Sequence, residues 1–148
     1  MSEGQNPRFL NSEVPLPEDP LGGLRALSRQ GDAAYVGLET FDNPGCAQVT
    51  FSGDELVAHC PVTGQPDFYE FRIDMLGIDK SIESKSLKIW MRQFADKDGP
   101  GLFCESLAVY IHRALADVLE LDEDEAAQQL QVTLVQKSRG GISIKAIA

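Results

Sequence analysis

Phe-Tyr-Glu-Phe-Arg-Ile-Asp-Met, Phe68 to Met75, is followed eight residues on by Glu-Ser-Lys-Ser-Leu-Lys-Ile-Trp-Met-Arg-Gln-Phe, Glu83 to Phe94. In the first stretch Tyr69, Phe71, Ile73 and Met75 alternate with Phe68, Glu70, Arg72 and Asp74, the period of a strand. In the second, Leu87, Trp90, Met91 and Phe94 fall at i, i+3, i+4 and i+7, one stripe of a helix. Gly77 and Asp79 stand between the two and break the first pattern. A strand that hands over to a helix, rather than alternating with helices along the whole chain, points to an α+β protein.

Working outward, Ala47 to Phe51 and Glu55 to His59 read as one strand region interrupted near Gly53. Beyond the loop Asp98 to Gly101 a second helix carries Leu107, Ala108, Ile111, Leu115 and Val118 inward and fades near the acidic run Asp122 to Glu125. Leu130, Val132 and Leu134 begin another strand, Ser138 to Gly141 is a turn, and Ile142 to Ile147 is the partner strand. The order ββααββ predicts an antiparallel four-stranded sheet with two helices on one face. Residues 1–31, with Pro7, Pro15, Pro17 and Pro20, read as a partly disordered N-terminal arm with a short helix around Leu24 to Arg29, and 32–148 as a single domain.

The chain has 148 residues, 43% of them hydrophobic, enough for one buried core. No apolar run approaches a membrane span, and Met1 to Pro20 is unlike a signal peptide, so a cytoplasmic protein without membrane contact is expected. Cys46, Cys60 and Cys104 are an odd set without CxxC spacing, which predicts reduced thiols. A formal net charge of -10 argues against direct nucleic-acid binding. The charge is uneven, however. Between Lys80 and Lys97 the basic Lys80, Lys85, Lys88, Arg92 and Lys97 outnumber Glu83 and Asp96.

Cys-Pro-Val-Thr-Gly-Gln-Pro-Asp, Cys60 to Asp67, sets a thiol and a carboxylic acid on one short turn. Pro61 and Pro66 limit φ and Gly64 permits positive φ, so the turn can be stiff. A thiolate is a strong nucleophile for an electrophilic carbon, and a nearby acid can move the accompanying proton. Glu83 to Lys88 places a carboxylate, hydroxyls and two ammonium groups at a helix start, where Glu83 and Ser84 also suit capping. With no Gly-x-Gly-x-x-Gly loop present, a phosphate-bearing cofactor would need such cations.

The two motifs, in this order, resemble the QueF family of NADPH-dependent nitrile reductases, over roughly Val49 to Ile144. The resemblance implies a tunnelling fold in which identical subunits join their sheets into a barrel, a homo-oligomer of decamer-like type. It implies reduction of 7-cyano-7-deazaguanine (preQ0) to 7-aminomethyl-7-deazaguanine, with Cys60 forming a thioimide and Asp67 moving the proton. By the same resemblance Glu83, Ser84 and Glu105 bind the deazaguanine, and Lys85, Ser86 and Lys88 bind NADPH. Arg139, before Gly140 and Gly141, is a further phosphate candidate. One departure stands out. The reductases usually carry a His before the glutamate, where this chain has Cys104. That departure keeps open an amidine-forming alternative, in which ammonia displaces the thioimide sulfur, and a non-catalytic purine-binding role. A zinc site from Cys46, His59, Cys60, Cys104 and His112 matches no strong spacing, and no metal is assigned.

Overall fold

A computed structural model describes residues 37–148, so the N-terminal arm 1–31 and its helix around Leu24 to Arg29 lie outside the described residues. The elements are β1 (Thr40–Asp42), β2 (Gln48–His59), β3 (Pro66–Leu76), β4 (Lys80–Ile82), α1 (Ser84–Met91), α2 (Cys104–Val118), α3 (Glu123–Gln129), β5 (Leu130–Arg139) and β6 (Ile142–Ile147). A 3-10 turn, Arg92–Ala95, extends α1. The main sheet has the order β2-β3-β5-β6 and every pair is antiparallel. The α+β, antiparallel reading of the sequence therefore holds.

Alternation along β3 produces the two faces of this sheet. Asp67, Tyr69, Ile73 and Met75 are buried, whereas Phe68, Glu70, Arg72 and Leu76 are exposed. On the covered face the stripe Leu87, Trp90, Met91 and Phe94 meets Leu107, Ala108, Ile111 and Leu115 of α2 in one core. Trp90 stacks on Tyr110 at 6.3 Å, and Phe94 meets both rings edge-on, which ties α1 to α2.

The interruption expected near Gly53 is a bulge in a continuous strand: the β2–β3 register shifts between Gly53 and Leu56. A Cβ at Gly53 would lie 2.7 Å from the Phe71 ring, so the close approach of that ring needs glycine.

Two expectations need correction. Three helices are present rather than two, because the acidic run does not end the helical part. Asp122 instead caps α3, accepting from the Glu125 backbone N–H while the Glu125 side chain accepts from that of Asp122. A small second sheet, β1 with β4, precedes α1 and was not expected.

The start of α1 is tied to that second sheet. Glu83, buried, is the N-cap, and its two carboxylate oxygens accept from Ser86 N at 2.7 Å and Lys85 N at 2.9 Å. Such a cap is worth roughly 0.5–2 kcal/mol. Ser86 Oγ donates to Glu83 O at 2.7 Å and accepts from Glu39 N at 3.0 Å.

Candidate active site

The turn Cys60 to Asp67 leaves the end of β2 and enters β3. Its geometry follows from its residues. Gly64 N donates to Cys60 O and Cys60 N to Gln65 O, both at 2.8 Å, and Gly64 takes φ +73, which an L side chain rarely adopts. Thr63 Oγ1 accepts from Gln65 N at 3.2 Å. The Thr63 hydroxyl and the backbone N–H groups of Thr63 and Val62 are the donors nearest in effect to the Cys60 sulfur. These donors favour the thiolate and hold the Cys60 pKa below that of an ordinary thiol, with Thr63 as the largest cause. Cys60 is half-buried, Cys46 exposed and Cys104 buried.

This arrangement gives a direct measurement. In a Cys46→Ala background, the rate of Cys60 alkylation by iodoacetamide should rise with pH about a midpoint below that of a free thiol. Thr63→Val keeps the shape but removes the hydroxyl donor, so the midpoint should move up and alkylation at pH 7 should slow. An unchanged midpoint would remove Thr63 from the activation of Cys60.

Asp67, buried, lies at the start of β3 and pairs through Oδ1 with Arg139 at the end of β5. Arg139 also reaches Gln65 Oε1 at 3.5 Å, and Cys60 contributes to the field that raises its pKa, after the larger effect of Asp67. Arg139 therefore belongs with the thiol and the carboxylate. Its guanidinium pairs with Asp67 and remains half-exposed.

Cys104 opens α2, and burial pushes its thiol up, with Glu105 adding to the shift. Tyr69 stands between the groups: burial raises its phenol most, followed by the fields of Cys104, Asp67, Glu105 and Cys60. The structure thus brings Arg139 to Asp67, with Tyr69 two residues along the same buried face of β3. Sequence reasoning missed Tyr69, Thr63 and Gln136; Tyr69 reads in the sequence as one more apolar-face residue of a strand.

The residues of α1 form a different group. Ser84, Lys88 and Arg92, four apart, line a cavity of about 470 Å³ between α1 and the bulged part of β2, with Phe51, Leu87 and Met91 as its apolar wall. Lys85 is half-buried and is not among its lining residues; Arg92, not singled out as a site residue, is. Ser86 is buried and its hydroxyl is bonded on both sides within the protein at the helix start. Glu83 and Ser84 also line a cavity of about 350 Å³ beside Phe41 and Cys46. Glu105, exposed, lines an open concavity on the outer side of α2. The zinc alternative finds no cluster: among the described residues no three of His, Cys, Asp and Glu are placed to hold a metal ion. His112 instead faces the carbonyls of Ala126 and Leu130. Among the described residues no helix is long and apolar enough to cross a membrane.

No family model matches the chain. A solved structure of the archaeosine synthase QueF-Like in the apo form aligns at a TM-score of 0.48 and 18% identity, over 70% of this chain and 93% of that one. Individual relatives are nearer. The chain is 34% identical over 138 residues to the NADPH-dependent 7-cyano-7-deazaguanine reductase of Syntrophobacter fumaroxidans, covering 86% of this chain and 83% of that protein. It is 36% identical over 125 residues to that of Frankia casuarinae, covering 82% and 93%, and 37% identical over 123 residues to that of Bacteroides fragilis, covering 81% and 76%. With a thiol and carboxylate on one rigid turn and such relatives matched over most of their length, the chain belongs to the NADPH-dependent 7-cyano-7-deazaguanine reductase family.

Proposed function

We propose that this protein reduces the nitrile of preQ0 to the aminomethyl compound with NADPH, through a thioimide on Cys60. The observation that carries this reading is the turn that holds Cys60 and Asp67 together, closed by Gly64 N to Cys60 O and Cys60 N to Gln65 O, with neighbouring donors favouring the thiolate. Thiolate addition to the nitrile carbon forms the C–S bond and leaves an electron pair on nitrogen. Asp67 moves the proton to that nitrogen, and Arg139 positions the carboxylate through Oδ1. Glu105 accepts from adjacent N–H groups of the guanine-like ring, for which two carboxylate oxygens are suited. Glu83 and Ser84 shape the wall at the start of α1, where Ser84 borders both cavities.

NADPH, when bound, would supply the two hydrides that take the nitrile carbon to the aminomethyl level, the C–S bond breaking so that Cys60 leaves as the thiolate. The residues between α1 and β2 suit it: Lys88 and Arg92 offer cations for phosphate, Lys85 adds charge on the same helix, and the apolar wall suits a ring. The cavity volume falls within the roughly 300–1,000 Å³ of small-molecule sites. Replacing Lys85 and Lys88 together by Ala should raise the KM for NADPH about tenfold or more and flatten its salt dependence. Formation of the Cys60 adduct needs no cofactor and should persist in that variant. An unchanged KM would remove both lysines from cofactor binding.

A homo-oligomer fits the surface. Val62, Phe68 and Phe103 are large, apolar and exposed, and all lie beside the thiol turn or the start of α2. The outer strands β2 and β6 each pair on one side only within the described chain, and joining copies edge to edge would satisfy them. A soluble cytoplasmic enzyme acting on free preQ0, rather than on nucleic acid or at a membrane, completes the reading.

The amidine-forming alternative rests on Cys104, whose buried thiol with its raised pKa is a poor proton donor and acceptor near neutral pH. The deciding experiment supplies preQ0 with NADPH, then preQ0 with ammonium, and identifies the products by mass spectrometry. Reduction consumes two NADPH per aminomethyl product. No NADPH oxidation across roughly pH 6 to 9, with amidine appearing in ammonium, would overturn the reductase reading.

A further inference from the structure

Tyr69 is the bulkiest of the fully buried side chains among the described residues, and it ends in a hydroxyl. A buried hydroxyl left unpaired is costly, so its partner is informative. That partner is Gln136, directly opposite in the β3–β5 register, whose Oε1 accepts the phenol proton at 3.3 Å. Gln136 is half-buried, and among the described residues its Nε2 has no hydrogen-bond partner. With Oε1 committed to the phenol, the two Nε2 donors face away from it. A half-buried amide in this state keeps its two donors available to solvent or to a ligand.

The amide also lies among the proposed catalytic groups. Asp67 is two residues from Tyr69 on the same face of β3, and Arg139, three residues beyond Gln136 on β5, pairs with it. The fields of Cys60, Asp67 and Glu105 all reach the phenol. Burial and these acidic neighbours keep the phenol protonated, so it remains a donor to Gln136 through the neutral range.

Resting on the proposed substrate, we infer that Gln136 contacts it, Nε2 donating to the ring carbonyl oxygen of the deazaguanine, and that Tyr69 is the positioning residue that holds the amide in this orientation. The chemistry is complementary. A guanine-like ring presents N–H donors and, beside them, a carbonyl acceptor. Glu105 takes the donors but has none to give when ionised, whereas an amide supplies one. An analogue with an amino group in place of the carbonyl would set donor against donor, and a site built to hydrogen-bond rejects such a mismatch strongly.

The test compares preQ0 with its 2,6-diamino analogue, reading the rate and saturation of the Cys60 adduct by mass spectrometry and turnover by NADPH oxidation. The unaltered protein should prefer preQ0 by roughly 10²-fold or more in kcat/KM. Gln136→Glu should shift the preference toward the diamino compound, and Gln136→Met should lower the preference for preQ0 about tenfold, the remainder coming from Glu105, which loses the ring N–H in the diamino compound. Tyr69→Phe keeps the ring that fills the core, so it should raise the KM for preQ0 about five- to tenfold with little change in kcat, the amide being free to turn. Thermal melting identifies folded variants; if Gln136→Glu does not fold, Gln136→Met and Tyr69→Phe decide. Folded variants that keep the unaltered preference and KM would overturn the role of Gln136 while leaving the reductase reading in place. An unaltered protein that captures neither compound would overturn both.

Discussion

Cys60→Ala is expected to abolish covalent capture of preQ0 and to reduce nitrile turnover to background, because no other group of the turn can form the C–S bond. The other two thiols do not substitute for it. Cys46 is exposed and lies ahead of β2, outside the Cys60 to Asp67 turn, and Cys104 is buried with its thiol pushed up. Intact-mass spectrometry after incubation with preQ0 should show a gain of one preQ0 in the unaltered protein and in Cys46→Ala, and none in Cys60→Ala. The fold should be unaffected, since the turn is held by the backbone bonds of Cys60, Gly64 and Gln65 and by Thr63 Oγ1, none of which uses the sulfur. An adduct that survives Cys60→Ala would remove this residue from the mechanism.

Asp67→Asn should lower turnover by roughly 10²–10⁴-fold, the usual range for a lost proton-transfer group. The amide keeps the shape of the carboxylate but cannot carry the proton, and it weakens the pairing with Arg139 by removing the charge. Two contributions are therefore mixed in this variant, and Arg139→Ala separates them. It leaves the carboxylate able to transfer a proton and removes only its positioning, so its loss should be the smaller, about tenfold. Binding of preQ0 to Asp67→Asn should weaken much less than turnover, so the effect belongs in kcat. Near-normal turnover in Asp67→Asn would return the residue to a turn-forming role.

Much of this protein was legible in the sequence because the signals were local. The period of Phe68 to Met75 and the stripe Leu87, Trp90, Met91 and Phe94 depend only on which side chains one element must bury, and β3 and α1 follow them. The thiol and carboxylate of the turn lie within eight residues whose prolines and glycine restrict the backbone. A local signal could also have located α3. The Asp122 to Glu125 spacing is a capping box, and its acidity was read as the end of helical structure.

What only the tertiary structure decided is separated in the chain. β1 and β4 are three residues each, too short to carry a period, and exist as strands through pairing across some forty residues. Arg139 reads as a free turn cation until the pairing of β3 with β5 carries it to Asp67, seventy-two residues away. Tyr69 and Gln136, sixty-seven residues apart, become neighbours only through the register of β3 with β5. Ser86 matches a cofactor motif in the sequence, yet packing of the second sheet against the helix start buries it and uses its hydroxyl. The sequence by itself determined the elements and the reactive pair, since backbone preference and burial period act over a few residues. Long-range registry decided which polar groups meet those two and which are spent on structure, because a hydrogen bond depends on distances that no local pattern encodes.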